Sequence, residues 1–101
     1  MLVASLHGPQ HVVETANENF RRALGHRPLL GRPYREAAPE LVGQGFFEQL
    51  DAVYRTGETH TGTEVPVYFE PGAPGPAYFN YFHQATHDAT QAVDGILSPL
   101  T

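Results

Sequence analysis

The chain has 101 residues, enough for one domain with a modest core and too few for a second. Its formal net charge is −5 with neutral histidines and every basic residue is arginine, so the cationic surplus that non-specific nucleic-acid binding needs is missing. Cysteine is absent, which excludes disulfides, thiolate catalysis and zinc-finger ligation, and no apolar run approaches the ~20 residues of a membrane span. Residues 1–10 lack the basic and apolar regions of a signal peptide, so the expected setting is cytoplasmic.

In chain order, Leu2, Ala4 and Leu6 alternate with Val3 and Ser5 and predict a short strand. Gly8-Pro9-Gln10 turns it into a second strand over residues 11–15, where Val12 and Val13 suit a half-buried pleat. Asn17 is an N-cap for a short helix whose apolar stripe is Phe20, Ala23 and Leu24, stopped by Gly25. Pro28 and Pro33 bracket a loop, and residues 34–41 predict one or two helical turns broken by Pro39. Five arginines, Arg21, Arg22, Arg27, Arg32 and Arg35, crowd this part of the chain, where Glu18, Glu36 and Glu40 are available to pair with them.

Residues 45–56 carry the strongest helical signal: Phe46, Phe47, Leu50, Val53 and Tyr54 on one face, Glu48, Gln49, Asp51 and Arg55 on the other, with Gly57 as the stop. Residues 64–70 alternate, with Val65, Val67 and Phe69 on one face and Pro66 marking an edge or bulge. The turn formers of residues 71–76 close a hairpin. On the returning strand, Tyr78, Asn80, Phe82 and Gln84 share one face and Phe79, Tyr81, His83 and Ala85 the other. The first set is expected to face the helices, and a buried Asn80 amide would need either backbone or ligand partners.

Chemistry-bearing patterns are sparse. Six histidines raise a metal site, but His83 and His87 on an extended strand would stand ~13 Å apart, and no HExxH occurs. His11 and His60 are expected to be exposed. Ser5 and Ser98 lie near the ends, outside any GxSxG, and Gly43-Gln44-Gly45-Phe46-Phe47 lacks the lysine and third glycine of a phosphate loop.

Ala16-Asn17, the short helix, Leu24-Gly25 and Leu30-Gly31-Arg32-Pro33 together resemble the opening of a PAS domain of the kind found in bacterial sensor histidine kinases. The stretch Tyr78-Phe79-Asn80-Tyr81-Phe82-His83-Gln84, with His87-Asp88 and Val93-Asp94-Gly95-Ile96-Leu97, resembles the last hairpin of that family, and the likeness extends over residues 2–97. It implies an α+β fold: a five-stranded antiparallel sheet, order 2-1-5-4-3, with short helices on one face. It also implies a single non-catalytic sensory domain without its signalling helix and effector, which senses a small ligand, forms a homodimer, or both. The implied ligand-binding set is Phe47, Leu50, Val65, Val67, Asn80 and Phe82, and the implied dimer contacts are Tyr68, Phe79 and Tyr81. No cofactor is identified: the long helix lacks the histidine of haem-binding members, and cysteinyl-flavin chemistry is excluded. Two departures stand out, a turn over residues 88–92 without the family's glycine and a last strand expected to be clipped near Pro99. Two other readings remain: a cone-shaped α+β isomerase or lyase with an Asp/Glu–His pair, which needs an N-terminal helix, and a purely structural dimerisation module.

Overall fold

The alternation of Leu2, Ala4 and Leu6 is realised in the first strand, β1 (Leu2–His7), of the computed structural model, which describes residues 1–68 and 75–101. Gly8, with φ +74°, turns the chain into β2 (Val12–Ala16), antiparallel to β1 with Leu6 opposite Val13. Asn17 then acts twice. Its side-chain oxygen accepts from the Phe20 amide at 2.9 Å, capping α1 (Glu18–Ala23), and from the Val3 amide at 3.1 Å, which ties the helix start to β1. Gly25, at φ +72°, ends the turn as the sequence predicts.

The outer edge of β2 is covered by the chain itself. The Val13 amide donates to the Arg32 carbonyl (2.9 Å), the Gly31 amide to Val13 (2.8 Å) and the Tyr34 amide to His11 (2.9 Å). Free edge groups that would invite another strand are thereby satisfied. Tyr34 opens α2 (Tyr34–Ala37), and Pro39 forces a separate 3-10 turn, Pro39–Leu41. The long helix α3 (Phe46–Thr56) runs between two left-handed glycines, Gly45 and Gly57, and buries Phe46, Phe47, Leu50 and Val53.

The remaining strands are β3 (His60–Val67), β4 (Ala77–His87) and β5 (Val93–Leu100), and the sheet order is β2-β1-β5-β4-β3, antiparallel throughout. This is the α+β arrangement expected, with α3 lying across β4 and β5. Strand β3 starts four residues earlier than its alternation predicts, because a bulge between Gly62 and Val65, with Glu64 at φ +50°, resets the register. The expected inward Phe69 and most of the 71–76 loop lie outside the described residues.

Two expectations are corrected. The faces of β4 are reversed: Tyr81, His83 and Ala85 are buried beneath the helices, while Tyr78 (65 % exposed), Asn80, Phe82 (41 %) and Gln84 lie on the opposite face. The register enforces this, since His83 stands opposite His60, Tyr81 opposite Gly62 and Ala85 opposite the buried Ile96. The last strand is not clipped at Pro99. It continues to Leu100, and Thr101 and Asn80 exchange backbone hydrogen bonds at 2.7 and 2.8 Å. By antiparallel alternation the next such pair is Phe82 with Pro99, where proline supplies no N–H, so the central ladder has one gap rather than an end. In the 88–92 turn, Gln91 takes the left-handed conformation (φ +71°), and the Asp88 carboxylate accepts from the Thr90 amide, the Thr90 hydroxyl and the Ala92 amide.

Gly95 is the tightest point of the sheet. A Cβ there would land on the Leu6 carbonyl oxygen and 2.9 Å from the Thr86 hydroxyl. Backbone cannot yield as a side chain does, so Gly95→Ala should destabilise the domain by about 2–3 kcal/mol or more, read as a lowered urea midpoint. An unchanged midpoint would mean that β1 and β5 are not paired in this register.

Candidate functional site

Aromatic rings form one wall of the core between α3 and the sheet, and aliphatic side chains such as Leu50, Val53, Ile96 and Leu100 fill the rest. Tyr34, fully buried, meets Phe20, Phe46 and Phe47 edge-on at centroid separations of 5.7, 5.6 and 5.4 Å. Burial pushes the Tyr34 hydroxyl far above its usual range, with Glu40 adding to the shift, so it stays protonated. Toward β3 the aromatic wall continues through residues that alternate along β4 or pair across strands. Tyr81 stacks on His83 (4.6 Å, 17° between planes), His60 lies parallel to both, and the Phe46 edge meets the His83 ring at 5.0 Å and 90°.

Two polar contacts run through this wall. The Tyr81 hydroxyl donates to Gln49 Oε1 on α3 at 2.7 Å, and His83 Nδ1 lies 2.9 Å from Ser98 Oγ on β5. The Nε2 atom of His83 is buried and has no partner among the described residues. Depending on the tautomer set by Ser98, that nitrogen offers either a lone pair or an N–H to whatever enters the interior. Burial, with lesser contributions from His60 and His11, lowers the imidazole from its ordinary value of 6.5 to about 4. It is a neutral, aromatic-walled hydrogen-bonding point in a largely apolar interior.

That interior is closed. The opening between α3 and β3, lined by Gln44, Phe46, Gln49, Val65, Val67 and Tyr81 among others, encloses about 20 Å³, room for one water. Larger clefts lie on the outside: about 490 Å³ beside Glu64, Tyr78, Asn80 and Thr101, and about 270 Å³ over His11, Arg35, Glu36 and Asp51.

Of the expected ligand set, Phe47, Leu50 and Val67 are buried between helix and sheet, and Val65 borders the same crevice. Asn80 and Phe82 do not join them, because β4 presents their face outward. The Asn80 side chain instead accepts the Glu64 amide at 2.9 Å and so closes the β3 bulge. Of the expected dimer contacts, Tyr68 is exposed, whereas Tyr81 is buried in the aromatic wall and Phe79 is half-buried against the core. The residues that do stand out on the outer face are Tyr78, Phe82 and Leu97.

Sequence reasoning missed both buried histidines. His11, expected outside, is buried with its Nε2 2.7 Å from Asp51, its Nδ1 unpartnered and Arg35 3.7 Å from the same carboxylate. No local pattern in the sequence marks it: His11 takes the left-handed conformation (φ +54°) at the hairpin turn, which the fold imposes. The pair is the one an acid/base enzyme would need, yet the nitrogen not held by Asp51 is sealed from solvent, and a hairpin stands where that fold requires a helix. Among the described residues no cluster of three or more histidines, carboxylates or cysteines could hold a metal, and no helix is long and apolar enough to cross a membrane. Of the crowded arginines, Arg27 forms a two-pronged bridge to Glu40 (2.8 and 2.6 Å), Arg22 reaches Glu18 at 4.0 Å, and Arg35 sits 5.3 Å over the Phe47 ring.

Because the folded His83 prefers to be neutral, stability should be fully present above pH 6.5 and fall as pH drops toward 4, by up to roughly 3 kcal/mol. The carboxylates held low, Glu18 by His26, Glu40 by Arg27 against its own burial and Asp88 by Thr90, keep their full contribution above their ordinary values of 4.5 and 3.8 and lose it only as pH falls below them. Denaturant melts at pH 6.5 and 4.8 should therefore differ in midpoint, and His83→Leu should reduce the difference. A variant that keeps the full slope would assign it elsewhere.

A family model described as the PAS fold matches residues 1–98 of the chain. Among solved structures, the PAS domain of histidine kinase ThkA superposes with a TM-score of 0.75 at 17 % identity, covering 100 % of this chain and 99 % of that one. VqmA bound to DPO gives 0.72 at 15 % identity over 99 % of this chain and 50 % of its own, and an RNA-binding light-oxygen-voltage receptor gives 0.72 at 14 % over 99 % and 28 %.

Proposed function

Since the chain belongs to the PAS fold family, we propose that it is the sensory domain of a bacterial signal-transduction protein, of the sensor histidine kinase type. In this reading it is a single, non-catalytic cytoplasmic module over residues 1–101, with its effector supplied by the full-length protein. The observation that carries a sensing role is the orphaned Nε2 of His83. A buried polar atom without a partner costs about 1–3 kcal/mol, and a ligand group that pairs with it recovers that cost. A small molecule reaching His83 must displace packing between Phe46, Gln49 and Tyr81, so it binds one arrangement of α3 on the sheet better than the other. That differential affinity is the signal.

Output through a homodimer is the second half of the proposal. Tyr78, Phe82 and Leu97, exposed to 65, 41 and 37 %, stand on the sheet face opposite α3, interspersed with Asn80 and Gln84, and a second copy of the chain would cover this strip. Because β4 carries both Phe82 on this strip and His83 in the interior, a shift at the ligand changes the strip directly. A likeness to ThkA supports the kinase context, and one to an RNA-binding receptor keeps nucleic-acid effectors in the family's range; the net charge of −5 argues against direct contact by this domain.

Light scattering should report a dimer for the parent protein and a monomer for Phe82→Glu combined with Leu97→Glu. A parent that is monomeric at tens of micromolar, on the scale of a modest interface, or a double variant that stays dimeric, would remove the dimer from the proposal. Native mass spectrometry of the purified protein, compared with His83→Leu, tests sensing: a co-purified mass that the variant loses supports it.

A further inference from the structure

Gln44 stands between Gly43 and Gly45, whose φ angles of +89° and +84° are conformations that glycine adopts freely. Its amide works as a two-pronged clamp on the residue just past β3: Nε2 donates to the Tyr68 carbonyl at 2.8 Å and Oε1 accepts the Tyr68 amide at 3.0 Å. A third contact, from Nε2 to the Glu40 carbonyl at 2.9 Å, anchors the same side chain to the 3-10 turn. Gln44 is itself exposed, so these bonds face water as a competitor and break more readily than buried ones. Directly behind the clamp lies the crevice between α3 and β3, where Phe46, Gln49, Val65 and Tyr81 meet around a space of about 20 Å³.

We propose that Gln44 is the latch of an entry portal between α3 and β3, and that the portal admits small, uncharged, planar molecules. Resting on the sensing role proposed above, this names the route and the class of ligand. The two left-handed glycines are the hinge: rotation about them withdraws the amide from Tyr68 without disturbing α3, whose first buried residue is Phe46. The class follows from what the crevice presents. Among the described residues none that lines the crevice carries a charge, so an ion would enter unpaired at high cost. The Phe46 and Tyr81 rings, at 6.2 Å and 84°, offer flat and edge surfaces to a planar guest. The Tyr81–Gln49 hydrogen bond supplies one donor and one acceptor, so a guest N–H can pair with Gln49 Oε1 and a guest carbonyl with the Tyr81 hydroxyl, with His83 stacked on Tyr81.

Hydrogen exchange and NMR titration with indole, a neutral planar N–H donor, test this on the parent chain, Gln44→Ala and Gln44→Glu; the glutamate keeps the acceptor for the Tyr68 amide but loses the donor. The expected result is exchange of the Tyr68 amide about tenfold faster in Gln44→Ala, with Ile96 in the central strand unchanged, and faster indole association at Phe46 and Tyr81. Gln44→Glu should fall between. Equal exchange at Tyr68 in parent and Gln44→Ala overturns the latch. Indole that binds all three proteins at one rate places the entrance elsewhere and overturns the portal while sensing stands. Faster exchange with no indole effect at Phe46 or Tyr81 in any of them overturns the portal and the interior sensing role together, and leaves the dimer.

Discussion

The pairing of β4 with β5 is the constraint on which the interior depends. Strand side chains alternate with a period of two, so the register that sets Ala85 against Ile96 and Tyr81 against Leu100 also sends His83 and Ser98 to the helix side. A slip of one residue would place Asn80, Phe82 and Gln84 under α3 and expel the aromatic wall. Several features hold the register. Gly95 admits β1 at close range, Gly62 leaves room for the Tyr81 ring, and the Thr101–Asn80 backbone exchange closes the far end past the gap at Pro99.

Polar groups are distributed unevenly about this sheet. On the outer face they are satisfied: Ser5 and Thr15 share a 2.6 Å hydrogen bond, and Thr86 donates to Asp94 at 2.8 Å. On the inner face Tyr81 and Gln49 satisfy one another, but His83 and His11 each retain a buried nitrogen without a partner among the described residues. Natural interiors rarely keep such groups, and their occurrence at a helix–sheet interface is what distinguishes this site from ordinary core. The two histidines also attach α3 to the sheet differently. His83 touches it through the Phe46 ring edge, whereas His11 reaches from the β1–β2 turn to Asp51 and brings Arg35 with it. A displacement of α3 therefore alters both ends of the sheet.

Much of this was legible from residue order. Asn17 as a cap, Gly25 and Gly57 as stops, and the face formed by Phe46, Phe47, Leu50 and Val53 are local features, set by capping chemistry and by 3.6-residue spacing. The β4 faces were not legible, because aromatic residues occur on both and alternation says that two faces differ without saying which is inside. The polarity of Asn80 and Gln84 pointed outward, and the apolar bulk of Phe82 pointed inward; only Gly62 and Ile96, distant in sequence, decide between them.

What the amino-acid order determined alone was the set of elements, their sequence and, through the motifs shared with the PAS fold, their arrangement in the sheet. These depend on contacts within a few residues and on a pattern spread along the whole chain. Tertiary structure alone decided that His83 and His11 are buried, that Asn80 serves a bulge rather than the interior, and that β5 continues beyond Pro99. Each of these depends on which strand lies opposite, and burial is a property of the partner across the sheet rather than of the residue itself.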